Sequence, residues 1–388
     1  MNHIFVTYSD GFPVHYSAAN TKISFLGKGL IELGDNVTLI NKFYGVNNIA
    51  QKHGFYDGIE YYSFPSKVGK TCGSIVNTYK TIRLLNKLFK GNETNVVYIG
   101  CGNFFVLYFI TLFARFWGYK VAFIFEEWQY GSKNTSLMYR INAFLHSKVL
   151  GYYSDYILPI SEFLKSKSLK FKKPIFKLPI CANFKINTVP YKRNNSERYL
   201  LYCASVGYKR AFEFIVDSFT IAFDKCNDIK LHLILSGDEK LIESDKLLIT
   251  KRKLDRIVEI KTKLPYEELL TEYVNAQALL IPLFPDSITD VARFSQKISE
   301  YLTTGRPIIS TKVGEVAFYF KNFHNMLISS EVTEKEYASL MKYTMENVEE
   351  SEEIGRKGYE LGKCTFDYRV LSLSLKEFII NHTIRNYQ

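Results

Sequence analysis

Arg293 to Glu315 reads RFSQKISEYLTTGRPIISTKVGE, and the order of residue types in it decides the fold. Phe294 and Ser295 precede an apolar-periodic run of Ile298, Tyr301 and Leu302, which predicts a short helix with Ser295 as its cap. Gly305 and Pro307 stop that helix, and Ile308 and Ile309 open a buried strand. The cap satisfies one first-turn amide. The amides of Ser295, Gln296 and Lys297 remain for an anion, and the helix dipole adds about half a positive charge at the same end. A diphosphate is stabilised there without a dedicated cation. Glu300 lies one turn further in, where a carboxylate can accept both hydroxyls of a ribose bound through its phosphates.

Outward from this stretch, strand and helix alternate. In the first half, Ile4 to Tyr8 reads as a strand, Tyr16 to Leu33 as a helix stopped by Gly34, and Val37 to Ile40 as the next strand. A loop with Tyr56, Asp57 and Gly58 follows, then an amphipathic helix over Ser74 to Phe89. Phe104 to Phe116 is apolar nearly all round but too short to span a bilayer, which predicts a helix buried against a sheet. Lys185 to Arg198 has the composition of a linker. Behind it come strand Tyr199 to Cys203, helix Ala211 to Asp224, strand Leu231 to Leu235, helix Tyr266 to Asn275 and strand Ala278 to Pro282. Leu371 to Arg385 has helical periodicity. The pattern predicts doubly wound parallel α/β sheets. With 388 residues, 47% of them hydrophobic, two domains of about 180 residues each are expected.

The opening stretch resembles the donor site of the GT-B glycosyltransferases, family 4 in particular, whose signature runs E-G-F-G-x4-E and continues into A/Y-x3-G-x-P-V/I-I. Residues 292–300 read A-R-F-S-Q-K-I-S-E, followed by Tyr301, Gly305, Pro307, Ile308 and Ile309. The second glutamate is Glu300. Ala292 replaces the first, which family members use on the donor sugar, and Asp290 or Glu315 is the candidate substitute. Ser154 to Glu162 is similar to the family's D-x-v-i-x-v-S-e segment, and Lys177 to Phe184 stands where it has v-i-x-N-G-v-D, with Asn183 displaced. The resemblance implies a GT-B architecture of two Rossmann-like domains facing across a cleft. Residues 1–187 would form the acceptor domain, 198–366 the donor domain, and 367–388 a helix crossing back to the first. It also implies transfer of a hexosyl group from a nucleotide-diphosphate sugar with retention.

Ala204 to Arg210, ASVGYKR, ends a strand, turns at Gly207 and places two cations at a helix start, where the dipole disfavours them and an anionic ligand suits them. Ser205, Gly207, Lys209 and Arg210 are therefore donor-site candidates, and the family's G-R-x4-K-G loop assigns the diphosphate to Lys209. Charge develops on the departing β-phosphate, so Lys209 and fixed amides would act as the catalytic electrostatics. No D-x-D triplet occurs, which suits a site without a metal ion or other cofactor. Ligands of open α/β sheets bind beyond the carboxyl ends of strands. That assigns the acceptor to Gly11 and His15 after the first strand and to Glu126 or Glu127 after Phe125, the two adjacent carboxylates pointing apart.

The net charge of +11 calls for an anionic partner. Lys80, Arg83, Lys87 and Lys90 lie on one helix, and LKSKSLKFKK holds Lys165, Lys167, Lys170, Lys172 and Lys173. These cations stand beside apolar residues, and no nucleic-acid motif occurs, which favours an anionic membrane surface and a lipid-linked glycan acceptor over nucleic acid. Six cysteines without zinc spacing, and an N-terminus without a signal-peptide pattern, are expected of a reduced, cytoplasmic protein on the inner face of the plasma membrane. Two other readings stay open: an epimerase or hydrolase on the same fold, and a degenerate paralogue that binds nucleotide or glycan without catalysis.

Overall fold

The computed structural model describes residues 1–7, 12, 18–42, 53–64, 70–100, 102–130, 136–185, 197–223 and 228–384. The chain divides into two compact units: Met1–Ala182 with Ala292–Gln296 and Phe366–Gln388, and Asn183–Val291 with Lys297–Thr365. Nearly all of the linker stretch, residues 186–196, lies outside the described residues.

The first unit runs β1 (Asn2–Thr7), α1 (Ala18–Glu32), β2 (Asn36–Lys42), β3 (His53–Tyr56), β4 (Ile59–Phe64), α2 (Lys70–Leu88), β5 (Asn95–Ile99), α3 (Phe104–Phe116), β6 (Lys120–Phe125), α4 (Leu137–Lys148), α5 (Leu150–Tyr153), β7 (Tyr156–Pro159) and α6 (Glu162–Ser168). The second runs β8 (Arg198–Ser205), α7 (Lys209–Phe223), β9 (Ile229–Ser236), α8 (Glu239–Lys251), β10 (Val258–Thr262), α9 (Tyr266–Asn275), β11 (Ala278–Ile281), α10 (Ile288–Ala292), α11 (Gln296–Leu302), β12 (Ile308–Thr311), α12 (Gly314–Tyr319), β13 (Leu327–Ser329), α13 (Glu334–Glu346) and α14 (Val348–Thr365); α15 (Tyr368–Ile384) returns to the first. The sheet orders are β3-β4-β2-β1-β5-β6-β7 and β10-β9-β8-β11-β12-β13. Among the described residues only β3 is antiparallel, joined to β4 through Asp57 and Gly58, both at positive φ as a two-residue hairpin loop requires.

In the first unit, Leu26 and Leu30 of α1 and Leu371, Leu375 and Ile379 of α15 cover Phe5, Leu39, Val96 and Tyr98 of the sheet. Polar contacts lock the two helices together. Ser372 donates to the Leu26 carbonyl (3.1 Å), Tyr368 to Glu32 (2.7 Å), and Lys376 to the Leu33 carbonyl (2.9 Å). Lys376 also lies 3.0 Å from Asp35, which His3 approaches at 3.3 Å while bonding Tyr98 on its other ring nitrogen. Burial alone would raise the Asp35 carboxyl, but hydrogen bonds from His3, the Met1 ammonium and Lys376 hold it well below the usual carboxylate range.

Two sequence expectations change here. α3 buries only its inner face, Phe104, Leu107, Ile110 and Ala114, and leaves Phe105, Phe109, Leu112, Phe113 and Phe116 exposed. The expectation that most cysteines sit in apolar surroundings also changes: of the four described, Cys72 and Cys364 are exposed, and Cys181 is buried, burial pushing its thiol up to about 12. In the second unit the α11 stop is tight: Gly305 has φ +67°, and a Cβ on Gly355 of α14 would meet the Gly305 carbonyl at 2.3 Å. Arg306, between the motif glycine and proline, is buried and donates to the Val274 carbonyl (2.6 Å).

Asp35→Asn is expected to cost about 2 kcal/mol at pH 7, measured by urea unfolding. Because the folded-state pKa is depressed, wild type should hold this advantage above about pH 4 and lose it as pH falls toward the lower folded value.

Candidate donor site

The second sheet reverses direction between β8 and β11: β8 leads through α7 outward to β9, and β11 through α10 and α11 outward to β12. Right-handed crossovers put those helices on opposite faces, which leaves an opening at the carboxyl ends of β8 and β11. Most donor-site candidates border it or follow it in the chain.

After β8, Ser205 accepts from the Gly207 amide (3.5 Å) and, through its carbonyl, from Tyr208 (3.0 Å), while the Val206 amide bonds Ser236 of β9. The turn delivers Lys209 and Arg210 into the first turn of α7, two residues earlier than the apolar pattern suggests. Lys209 is exposed, with Glu213 3.9 Å away. Arg210 is engaged differently: it grips both Asp286 oxygens, at 2.8 and 2.9 Å, and lies 3.9 Å from the centre of the Phe284 ring. The guanidinium thus ties the loop after β8 to the loop after β11, a use its sequence did not reveal because Asp286 is 76 residues away.

Asp290 braces its own loop, accepting from the Phe284 amide (3.0 Å) on one oxygen. Gly314 packs against this turn with φ +54°; a Cβ there would stand 2.9 Å from the Asp290 carbonyl. Glu315 is buried in the first turn of α12, and Ala292, in place of the motif's first glutamate, is fully buried.

On α11, Glu300 is 17% exposed, and Lys297, one turn before it, donates to its Oε2 at 2.9 Å. Lys297 also donates to the Tyr273 hydroxyl (2.9 Å) on α9, and Tyr301 accepts the Cys203 amide of β8 (3.1 Å). Burial works against the Lys297 charge, yet Glu300 and Cys203 raise its pKa above the usual lysine value. No described residue takes Glu300 Oε1, so that oxygen is available to one ligand hydroxyl while Oε2 is held. The Lys297 side chain thus orients Glu300, a role beyond the backbone amide expected from the sequence, although the three-residue spacing on a helix carries its signal.

Ala292–Gln296 belong to the first unit. There Ser161 donates to the Ala292 carbonyl (2.6 Å), Gln296 to the Cys181 carbonyl (2.5 Å), and Phe294 packs edge-on against Phe366. Arg293 pairs with Glu127, while Glu126 binds the buried Lys22 at 2.8 Å, so the adjacent carboxylates do point apart. Ser295 directly precedes α11. Gly11 and His15 lie outside the described residues.

Residues 184–361 match the family model described as Glycosyl transferases group 1. Sucrose-phosphate synthase from Thermosynechococcus elongatus superposes with a TM-score of 0.77 at 12% identity, covering 99% of this chain and 100% of its own. The Anabaena protein HepE in complex with UDP and glucose gives 0.75 at 10%, covering 98% and 100%. The lipopolysaccharide outer core galactosyltransferase WaaB gives 0.64 at 14%, covering 98% and 99%. At these identities the structural likenesses carry the fold. Among curated protein sequences none matches. Residues 184–361 therefore resemble the group 1 glycosyl transferases, and the chain has the GT-B fold of the structures it superposes on.

The Lys297–Glu300 pair is partly buried, and a double-mutant cycle of Lys297→Met and Glu300→Gln, read by chemical denaturation, is expected to return a coupling of about 1 to 2 kcal/mol. Additive effects would mean that the pair does not orient the carboxylate.

Proposed function

We propose that the chain transfers a hexosyl group from a nucleotide-diphosphate sugar to a glycan acceptor in bacterial surface polysaccharide synthesis, with retention and without a metal ion or cofactor. The observation that carries the donor half is a carboxylate, Glu300, oriented by Lys297 inside the stretch that matches the group 1 glycosyl transferase model. Glu300 holds the ribose through Oε1. The Lys297 amide and Lys209 hold the diphosphate, and Asp290 or Glu315 contacts the sugar. The UDP and glucose bound to HepE favour UDP as the nucleotide, and the absence of D-x-D favours catalysis by fixed donors alone.

Electrostatics explain the chemistry. As the glycosyl bond breaks, negative charge grows on the β-phosphate, and an exposed lysine at the start of α7 can follow it. Arg210 is left to shape the loops, since Asp286 already neutralises it. The acceptor belongs to the first unit, at Gly11, His15, Glu126 and Glu127. WaaB, an outer core lipopolysaccharide enzyme by name, favours a lipid-linked acceptor, as do the exposed cations Lys80, Arg83 and Lys87 along α2, which suit an anionic membrane surface on the cytoplasmic side.

With a panel of UDP-sugars and glycan acceptors, Lys209→Ala should lower kcat roughly 10² to 10³-fold and change UDP affinity far less. Product formed without any acceptor would instead identify an epimerase or hydrolase. Nucleotide binding with neither transfer nor slow hydrolysis would identify a binding protein that has lost catalysis.

A further inference from the structure

The outer side of α3 is as apolar as its inner side. Phe105, Phe109, Leu112, Phe113 and Phe116 recur at helical spacing and face solvent, Phe116 at 81% exposure. On α4, which packs beside α3, Leu137, Met138, Ile141 and Phe144 do the same, Leu137 at 71%. Nine large apolar side chains, about half exposed on average, present on the order of 700 Å² on adjacent helices, more than scattered surface residues account for.

A cluster of cations adjoins this face. Lys148, at the end of α4, lies 4.7 Å from the Trp128 ring and 5.2 Å from that of Tyr130. Lys167 lies 5.0 Å from the Phe163 ring, and Lys170 donates to the Lys148 carbonyl at 3.1 Å. Among the described residues no carboxylate pairs with any of the three ammonium groups. Burial, with Lys148 and Lys167 close by, pulls the Lys170 ammonium down to about 8, as expected of like charges gathered without a counter-ion.

We infer that the α3–α4 face seats on an anionic lipid bilayer, its aromatic and aliphatic side chains at the headgroup–acyl boundary and Lys148, Lys167 and Lys170 on lipid phosphates. Lysines flanked by tryptophan and tyrosine beside an apolar face are the composition of a membrane interface. Protein-binding surfaces are depleted of lysine, and a two-fold contact with a second copy would bring two uncompensated cation clusters toward each other. Among the described residues no helix is long and apolar enough to cross a membrane, so the face lies on the bilayer rather than in a span. This deepens the membrane part of the function proposed above and moves the contact from the basic row of α2 to α3 and α4.

The test is sedimentation of the full chain with vesicles of phosphatidylglycerol and phosphatidylcholine, against phosphatidylcholine alone, together with UDP calorimetry on the same preparations. Wild type should bind the anionic vesicles, with a blue shift in tryptophan emission, and bind the neutral ones far more weakly. Phe109→Ser with Phe116→Ser should weaken binding at least about tenfold. Lys148→Gln, Lys167→Gln and Lys170→Gln combined should weaken it about a hundredfold. All of these variants should keep wild-type UDP affinity, which separates failure of this inference from failure of the donor reading. Wild-type binding by the phenylalanine variant overturns the inference. So does loss only on Lys80→Gln, Arg83→Gln and Lys87→Gln, which would leave a membrane contact but place it on α2. Self-association abolished by the phenylalanine changes, with no vesicle binding, overturns it in favour of a second copy.

Discussion

Adjacent parallel strands β8 and β11 send their following helices to opposite faces of one sheet, and the opening this leaves governs the second unit. The interior strands β9, β8, β11 and β12 are paired on both sides, so groups that can meet a ligand collect where these strands end. The turn after β8, the loop after β11 and the start of α12 each end a strand of this sheet. Their cohesion comes from specific contacts: Arg210 on Asp286, Asp290 on the Phe284 amide, and Gly314 against the Asp290 carbonyl.

Charge pairing divides the basic residues by role. Lys297 and Arg210 are committed to Glu300 and Asp286, so neither can turn to an anion without breaking a pair. Lys209 is held only loosely by Glu213 at 3.9 Å in solvent, where such a contact contributes little. It is the cation of this loop that can move to a developing negative charge. The same reasoning singles out Lys148, Lys167 and Lys170, which have like-charged neighbours and, among the described residues, no carboxylate partner.

Much of the fold was legible in the sequence because local periodicity and glycine stops declare it. Phe104–Phe116 and Tyr266–Asn275 begin and end where the pattern places them, and α1 stops just before Gly34. α8 and β10 were not legible: α8 carries charges on most of its surface, and β10 is an edge strand whose V-E-I-K-T alternation is short. In the donor site, Glu300 and Lys209 stood out through helix position and charge. Asp286 and Tyr273 did not, since each meets its partner only after the sheet brings distant loops together. The exposed side of α3 was hidden for a different reason. An all-apolar helix looks the same in sequence whether its second face meets protein or not.

Direct titration of UDP onto wild type and Glu300→Ala, in buffer without divalent cations, tests the central claim most closely. The account predicts that UDP binds to wild type and that removing the carboxylate weakens it at least about tenfold, the loss expected for a charged hydrogen bond to a ribose hydroxyl. UDP binding unchanged by the substitution would contradict it and would remove α11 as the nucleotide site.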